Sequence, residues 1–230
     1  MQHRFFQDNI LKFKPYLDYE HNAHGYRTHE ITDDNLDQPH WYLFGESNTF
    51  GIAIKNGQRF SDRLEHHLNQ KVFNFARPGA SGEECVRILY GFTDTVQKPQ
   101  GVIVVWPYLV RRNHYSITRP YPVYLTGSSV DKSMIKHLVN NNDDMDVAHF
   151  YNQMYFVEHW CKQKSVPAYH FMIEQEDIIL LKNKSCFDDK ICATALSDCA
   201  DRDDLADDGA HWGPLHHKVF AHTIKGWMQN

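Results

Sequence analysis

The 230 residues carry a formal net charge of -5 and 42% hydrophobic side chains, enough chain for one large domain with a substantial buried core. A mean hydropathy of -0.58, with no apolar run near the ~18 residues that a helical span requires, excludes a membrane-spanning helix. Acidic residues crowd late in the chain at Asp201, Asp203, Asp204, Asp207 and Asp208, which argues against a nucleic-acid binder with its usual basic face.

Residues 1–38 are polar and aromatic, with a short helix expected at residues 9–17 and no strand. They read as an N-terminal arm packed on the domain formed by residues 39–230. No apolar signal core follows Met1, so no secretion signal is expected. Cys85, Cys161, Cys186, Cys192 and Cys199 are scattered, with no CxxC spacing among them. That disfavours a disulfide framework or a zinc site and makes a reducing cytoplasm the expected compartment.

The run His40-Trp41-Tyr42-Leu43-Phe44, ending at Gly45, has the pattern of a buried strand feeding a turn. Residues 60–69 follow with helical spacing of Phe60, Leu64 and Leu68, and with Ser61 as a candidate cap. A second strand is expected at residues 71–76, closed by Arg77-Pro78-Gly79-Ala80-Ser81-Gly82, a sequence suited to a sharp bend. Residues 83–95 read as a helix, with Val86, Leu89, Tyr90 and Thr93 on one side. The β-branched run from Gly101 to Trp106 is the most strand-like stretch and stops at Pro107. Its unbroken apolar character predicts burial on both faces, as in a parallel sheet.

Residues 108–146 read as an irregular insertion with a short helix expected at residues 131–139. A long amphipathic helix over residues 147–164 precedes a fourth strand at residues 166–173. Residues 174–207 read as irregular and polar, and residues 214–228 close the chain as a helix. Strand and helix thus alternate, which implies right-handed crossovers and a three-layer αβα domain. The parallel sheet is expected to have about five strands, of which four are located.

Ligands of such sheets bind beyond the carboxyl ends of the strands. There the sequence places Ser47 in a glycine-flanked loop, the turn at Gly79, the segment following Trp106, and Asp208-Gly209-Ala210-His211. A serine hydroxyl becomes nucleophilic when an adjacent base takes its proton, and an acceptor must hold that base in one tautomer. A three-residue spacing lets one turn carry both Asp208 and His211, and glycine lets backbone N–H groups approach an oxyanion. Trp106, Arg111 and Arg112 are candidates to line a substrate pocket; a core tryptophan and a solvated arginine pair are the alternatives. The sixteen histidines contain no HExxH pattern, so no metal is expected.

The segments Phe44-Gly45-Glu46-Ser47-Asn48-Thr49, Asn74 through Gly82, and Asp208-Gly209-Ala210-His211 followed by Trp-Gly-Pro resemble, in order, three blocks of the SGNH (GDSL-type) hydrolase family. The resemblance spans residues 40–225. It implies a flavodoxin-like sheet and hydrolysis of a carboxylic ester through an acyl-serine intermediate, without a metal or organic cofactor. Carried over by position, Ser47 would be the nucleophile and an oxyanion donor through its own N–H. Gly79 would supply a second N–H, His211 the general base and Asp208 its orienting partner.

The family's third block, Gly-x-Asn-Asp, is not matched. Tyr108 stands where the oxyanion asparagine is expected, and Asn113 is a second candidate several residues late. Glu46 replaces the usual aspartate and is expected to bond loop backbone. The Tyr, Arg and Asn content of the insertion suits a polar, carbohydrate-linked ester. The sequence is also compatible with two alternatives: an O-acyltransferase using the same serine, and a non-catalytic carbohydrate-binding protein on the same fold.

Overall fold

The computed structural model describes residues 19–92, 98–115, 122–125, 143–183, 189–199 and 203–229. Its strands are β1 (His40–Phe44), β2 (Lys71–Asn74), β3 (Gly101–Trp106), β4 (Arg112–Tyr115), β5 (Pro122–Leu125) and β6 (Ala168–Met172). The helices are α1 (Asp33–Leu36), α2 (Ser47–Phe50), α3 (Phe60–Leu68), α4 (Gly82–Gly91), α5 (Asp143–Lys164), α6 (Gln175–Asn183) and α7 (Pro214–Met228).

The four strands located from sequence form one parallel sheet in the order β2-β1-β3-β6. Tyr42 pairs with Phe73 on one side and Val102 on the other, and Val104 pairs with His170. In place of the expected fifth strand there is a single parallel bridge between His170 and Ile191. The amides of Cys192 and Ser197 donate to the carbonyls of His170 and Ile173, both at 2.9 Å. The chain then enters a 3-10 turn at Leu196–Asp198, so it edges the sheet without running alongside it long enough for a ladder.

Side chains alternate across a strand, and this alternation builds the three layers. Tyr42, Phe44, Val102, Val104 and Trp106 point to the side of α4 and α5, where they meet Leu89, Phe150, Met154 and Trp160. Trp41, Leu43, Ile103 and Val105 point the other way, onto Phe60 and Leu64 of α3 and Phe220 and Ile224 of α7. Each fully buried Leu or Phe in these layers contributes about 1.5–3 kcal/mol before conformational entropy is counted.

Several elements differ from the sequence reading. Helix α4 starts at Gly82, with the Ser81 hydroxyl accepting from the Glu84 amide at 3.4 Å, and its core face is Cys85, Ile88 and Leu89. Helix α5 begins four residues early, in the run Asp143, Asp144 and Asp146, where acidic side chains favour a helix N-terminus. The stretch 174–207, expected to be irregular, contains α6. Only Ile178 and Leu181 of that helix are buried, too few to show as periodicity. The insertion, also expected to be irregular, contains the antiparallel pair β4–β5. The helices expected at residues 9–17 and 131–139, and Thr93, Cys186 and Asp201, lie outside the described residues.

Residues 19–38 reach toward the loop that follows α2. Buried Arg27 donates to the carbonyls of Gly51 and Ile54, both at 2.6 Å, with its guanidinium over the Tyr19 ring. The Tyr19 hydroxyl in turn accepts from the Ala53 amide at 2.7 Å. Among the described residues, no helix is long and apolar enough to cross a membrane, and no group of three or more His, Cys, Asp or Glu is arranged to hold a metal.

Candidate active site

All four sheet strands run parallel, so their carboxyl ends share one rim. At the end of β1 the chain must turn tightly. A Cβ on Gly45 would lie 2.2 Å from Thr49 Oγ1, so only glycine fits there. Glu46 then caps α2: its Oε1 accepts from the Asn48 amide at 2.8 Å. This is the backbone bond expected of it. Its second oxygen accepts from the Ser47 hydroxyl, a contact the sequence reading missed. A carboxylate one residue before the serine offers no spacing signal for it.

Ser47 is the first residue of α2 and is 8% exposed. Its amide stands where a helix has no intrahelical acceptor to offer. Gly51 ends α2 with φ of 80°, its amide donating to the Ser47 and Asn48 carbonyls at 3.0 and 3.2 Å. Asn74, at the end of β2, donates through Nδ2 to the Thr49 carbonyl at 2.8 Å, tying the second block to the serine's helix. Beyond it, the Ala80 amide donates to the Arg77 carbonyl at 3.1 Å, with Gly79 at φ of 74°. Proline second and glycine third, at positive φ, is the type II turn. A buried ion pair from Arg77 to Glu84, 2.6 Å, fixes this turn to α4.

The segment before α7 approaches the same rim. The Trp212 amide donates to Asn48 Oδ1 at 3.3 Å, so the residues beside His211 are fastened to the residue beside Ser47. Asp208 Oδ1 accepts from the Ala210 and His211 amides, each at 3.0 Å, and Oδ2 lies 2.6 Å from His211 Nδ1. Burial opposes the charge on Asp208, but these two amides and the imidazole outweigh it and hold the carboxyl below its ordinary range. With Nδ1 donating to a carboxylate, Nε2 is the acceptor nitrogen.

No family model matches the sequence, and no curated protein matches it. Solved structures do match in fold. TesA superposes with a TM-score of 0.52 at 8% identity, over 83% of this chain and 98% of that one. The lipase Lip_vut3 from a goat rumen metagenome gives 0.50 at 14% identity, over 82% and 97%. A member of the lipolytic protein G-D-S-L family from Veillonella parvula gives 0.50 at 10%, over 81% and 96%. The fold is that of the SGNH (GDSL-type) hydrolases.

On this SGNH fold, Ser47 opens α2 at the carboxyl rim, and Gly79, Asp208 and His211 sit in loops there. The remaining candidates are placed differently. Tyr108 does not present a free hydroxyl: it donates to Glu174 Oε1 at 3.1 Å. Burial and that carboxylate raise the phenol's pKa, so the proton stays on the oxygen. Asn113 belongs to β4 and pairs with Tyr124.

Trp106 is 0% exposed and lies inside the core, so a sugar ring has no access to it. Its ring stacks on His170 at 5.7 Å and meets Phe150 edge-on. A tryptophan at a strand end alternates inward or outward with its neighbours, and here the register sends it inward. Arg112 is held by Asp146 and by the carbonyls of Leu109 and Arg111, which makes it a brace for the insertion. Arg111 instead turns toward the serine's loop, its Nη1 3.2 Å from Glu46 Oε2.

Proposed function

We propose that this chain hydrolyses carboxylic esters through an acyl-serine intermediate on Ser47. The observation that carries the reading is the Asp208–His211 pair, its acceptor nitrogen without a partner among the described residues, fastened through Trp212 to the helix that begins with Ser47. Ser47 Oγ attacks the ester carbonyl while its proton passes to His211 Nε2. The alcohol then leaves with that proton, and water, deprotonated by the same histidine, releases the acid. In this reading the amides of Ser47 and Gly79 donate to the developing oxyanion, and Asp208 stabilises the imidazolium.

A polar ester, such as an acyl or acetyl group on a carbohydrate, suits the rim's arginine and tyrosine better than a long acyl chain. Cys85, Cys161, Cys192 and Cys199 are free thiols, which suits a reducing compartment such as the cytoplasm.

Hydrolysis of p-nitrophenyl acetate and labelling by a fluorophosphonate test the assignment. Wild type is expected to turn over and to carry the adduct on Ser47, and Ser47→Ala to do neither. Equal hydrolysis by the two proteins, or an unlabelled Ser47 in folded wild type, defeats it. Product that appears only when a sugar acceptor is supplied replaces hydrolysis with acyl transfer.

A further inference from the structure

The scheme above leaves the oxyanion short of the side-chain donor that the resemblance calls for, and it leaves a cation at the rim unused. We infer that Arg111 is that donor and that Tyr108 is the platform that aims it; the inference rests on the Ser47 reading. Tyr108 occupies the asparagine's sequence position but spends its hydroxyl on Glu174. Its ring does the useful part: the Arg111 guanidinium lies 4.7 Å from the ring centroid, within cation–π range.

Arg111 Nη1 donates to Glu46 Oε2 at 3.2 Å, and that same oxygen accepts from the Ser47 hydroxyl. One carboxylate oxygen therefore separates the guanidinium from the nucleophile. A guanidinium has five N–H groups. Among the described residues, this is the single acceptor that the Arg111 side chain meets. The side chain is 16% exposed against 1% for Glu46, so of the pair it is the arginine that reaches solvent.

Charge supports the same role. An oxyanion forming next to the Glu46 carboxylate would place two negative charges side by side in a buried site. The guanidinium offsets the first and donates to the second. As Oγ bonds to the carbonyl carbon, the π pair moves onto oxygen, which takes hydrogen bonds from Arg111 and the two amides, while the Oγ proton sits on His211. When the carbonyl re-forms, the C–O bond to the alcohol breaks and the alcohol takes that proton.

The test uses p-nitrophenyl acetate, a neutral ester, so that binding of an anionic substrate cannot mimic the effect. Arg111→Met should lower kcat by about 10²–10³-fold with KM little changed, with Arg111→Lys recovering part of the loss. Tyr108→Ala should lower kcat about tenfold, as expected for a mis-aimed donor, and Tyr108→Phe, which keeps the ring, should restore it. A wild-type kcat in folded Arg111→Met overturns the inference. So does full recovery on adding Glu46→Gln to Arg111→Met, because the arginine would then only offset the carboxylate. If wild type itself shows no Ser47-dependent turnover, the underlying hydrolase reading fails and this inference falls with it.

Discussion

His170 and His211 each sit at hydrogen-bonding distance from a carboxylate, 3.0 Å from Glu158 and 2.6 Å from Asp208 respectively, but in contrasting parts of the sheet. His170 lies on β6 and is 0% exposed. Its Nδ1 accepts from Trp106 Nε1 at 3.1 Å, which leaves the proton on Nε2 to be donated to Glu158. Both ring nitrogens are consumed. His211 lies in the rim loop with its side chain 26% exposed. One nitrogen is held by Asp208, and the other has no partner among the described residues. A carboxylate partner only orients an imidazole. Chemistry also requires a second nitrogen left open at a place substrate can reach.

That contrast breaks most sharply at His211. His211→Ala is expected to lower kcat/KM for p-nitrophenyl acetate by about 10⁴–10⁶-fold, with the thermal midpoint close to wild type because the ring is partly exposed. His170→Leu is expected to do the reverse. It strands the Trp106 indole N–H in the core and takes a partner from Glu158, which costs about 2–3 kcal/mol of stability in urea unfolding. Turnover per folded molecule should stay near wild type. Loss of turnover in a still-folded His170→Leu protein, or retained turnover in His211→Ala, would erase the distinction between the two histidines.

Much of this architecture is visible in the chain because the driving force is written locally. Residues 41–44 and 101–106 are unbroken runs of apolar and aromatic side chains, and such runs demand burial on both faces wherever the rest of the chain goes. The Asp208–His211 hydrogen bond is likewise a property of one turn, set by a three-residue spacing. Features that depend on distant partners are not written that way. Helix α6 fully buries only Ile178 and Leu181, too few for a periodic signal, and the stretch reads as loop. The fifth sheet position is held by one bridge at Ile191, which has no pattern to detect. Whether Trp106 faced core or pocket depended on strand register. The direction of Arg111 depends on where the Tyr108 ring lies, and the tyrosine hydroxyl is taken by Glu174, 66 residues on, a partner that no local spacing announces.

The smallest effect concerns the start of α3, and its sign is informative. Sequence preference favours Ser61 as the cap of this helix, since a serine hydroxyl accepts from an amide two or three residues on. In the structure the helix begins at Phe60, where its spacing predicts, so the cap position falls to Arg59, and no side chain caps it. The Phe60 amide is instead taken by His217 Nδ1 of α7 at 3.0 Å, a tertiary partner that competes with any local cap. Ser61 is left inside the first turn, 2% exposed, with its hydroxyl unpartnered among the described residues. A capping serine changed to alanine loses about 1 kcal/mol. Here Ser61→Ala removes a buried, unsatisfied hydroxyl and improves helix propensity, so it is expected to gain up to about 1 kcal/mol in urea unfolding. A loss of that size would mean that the hydroxyl does cap the helix in solution, and that packing of α7 against α3 had not displaced the local signal.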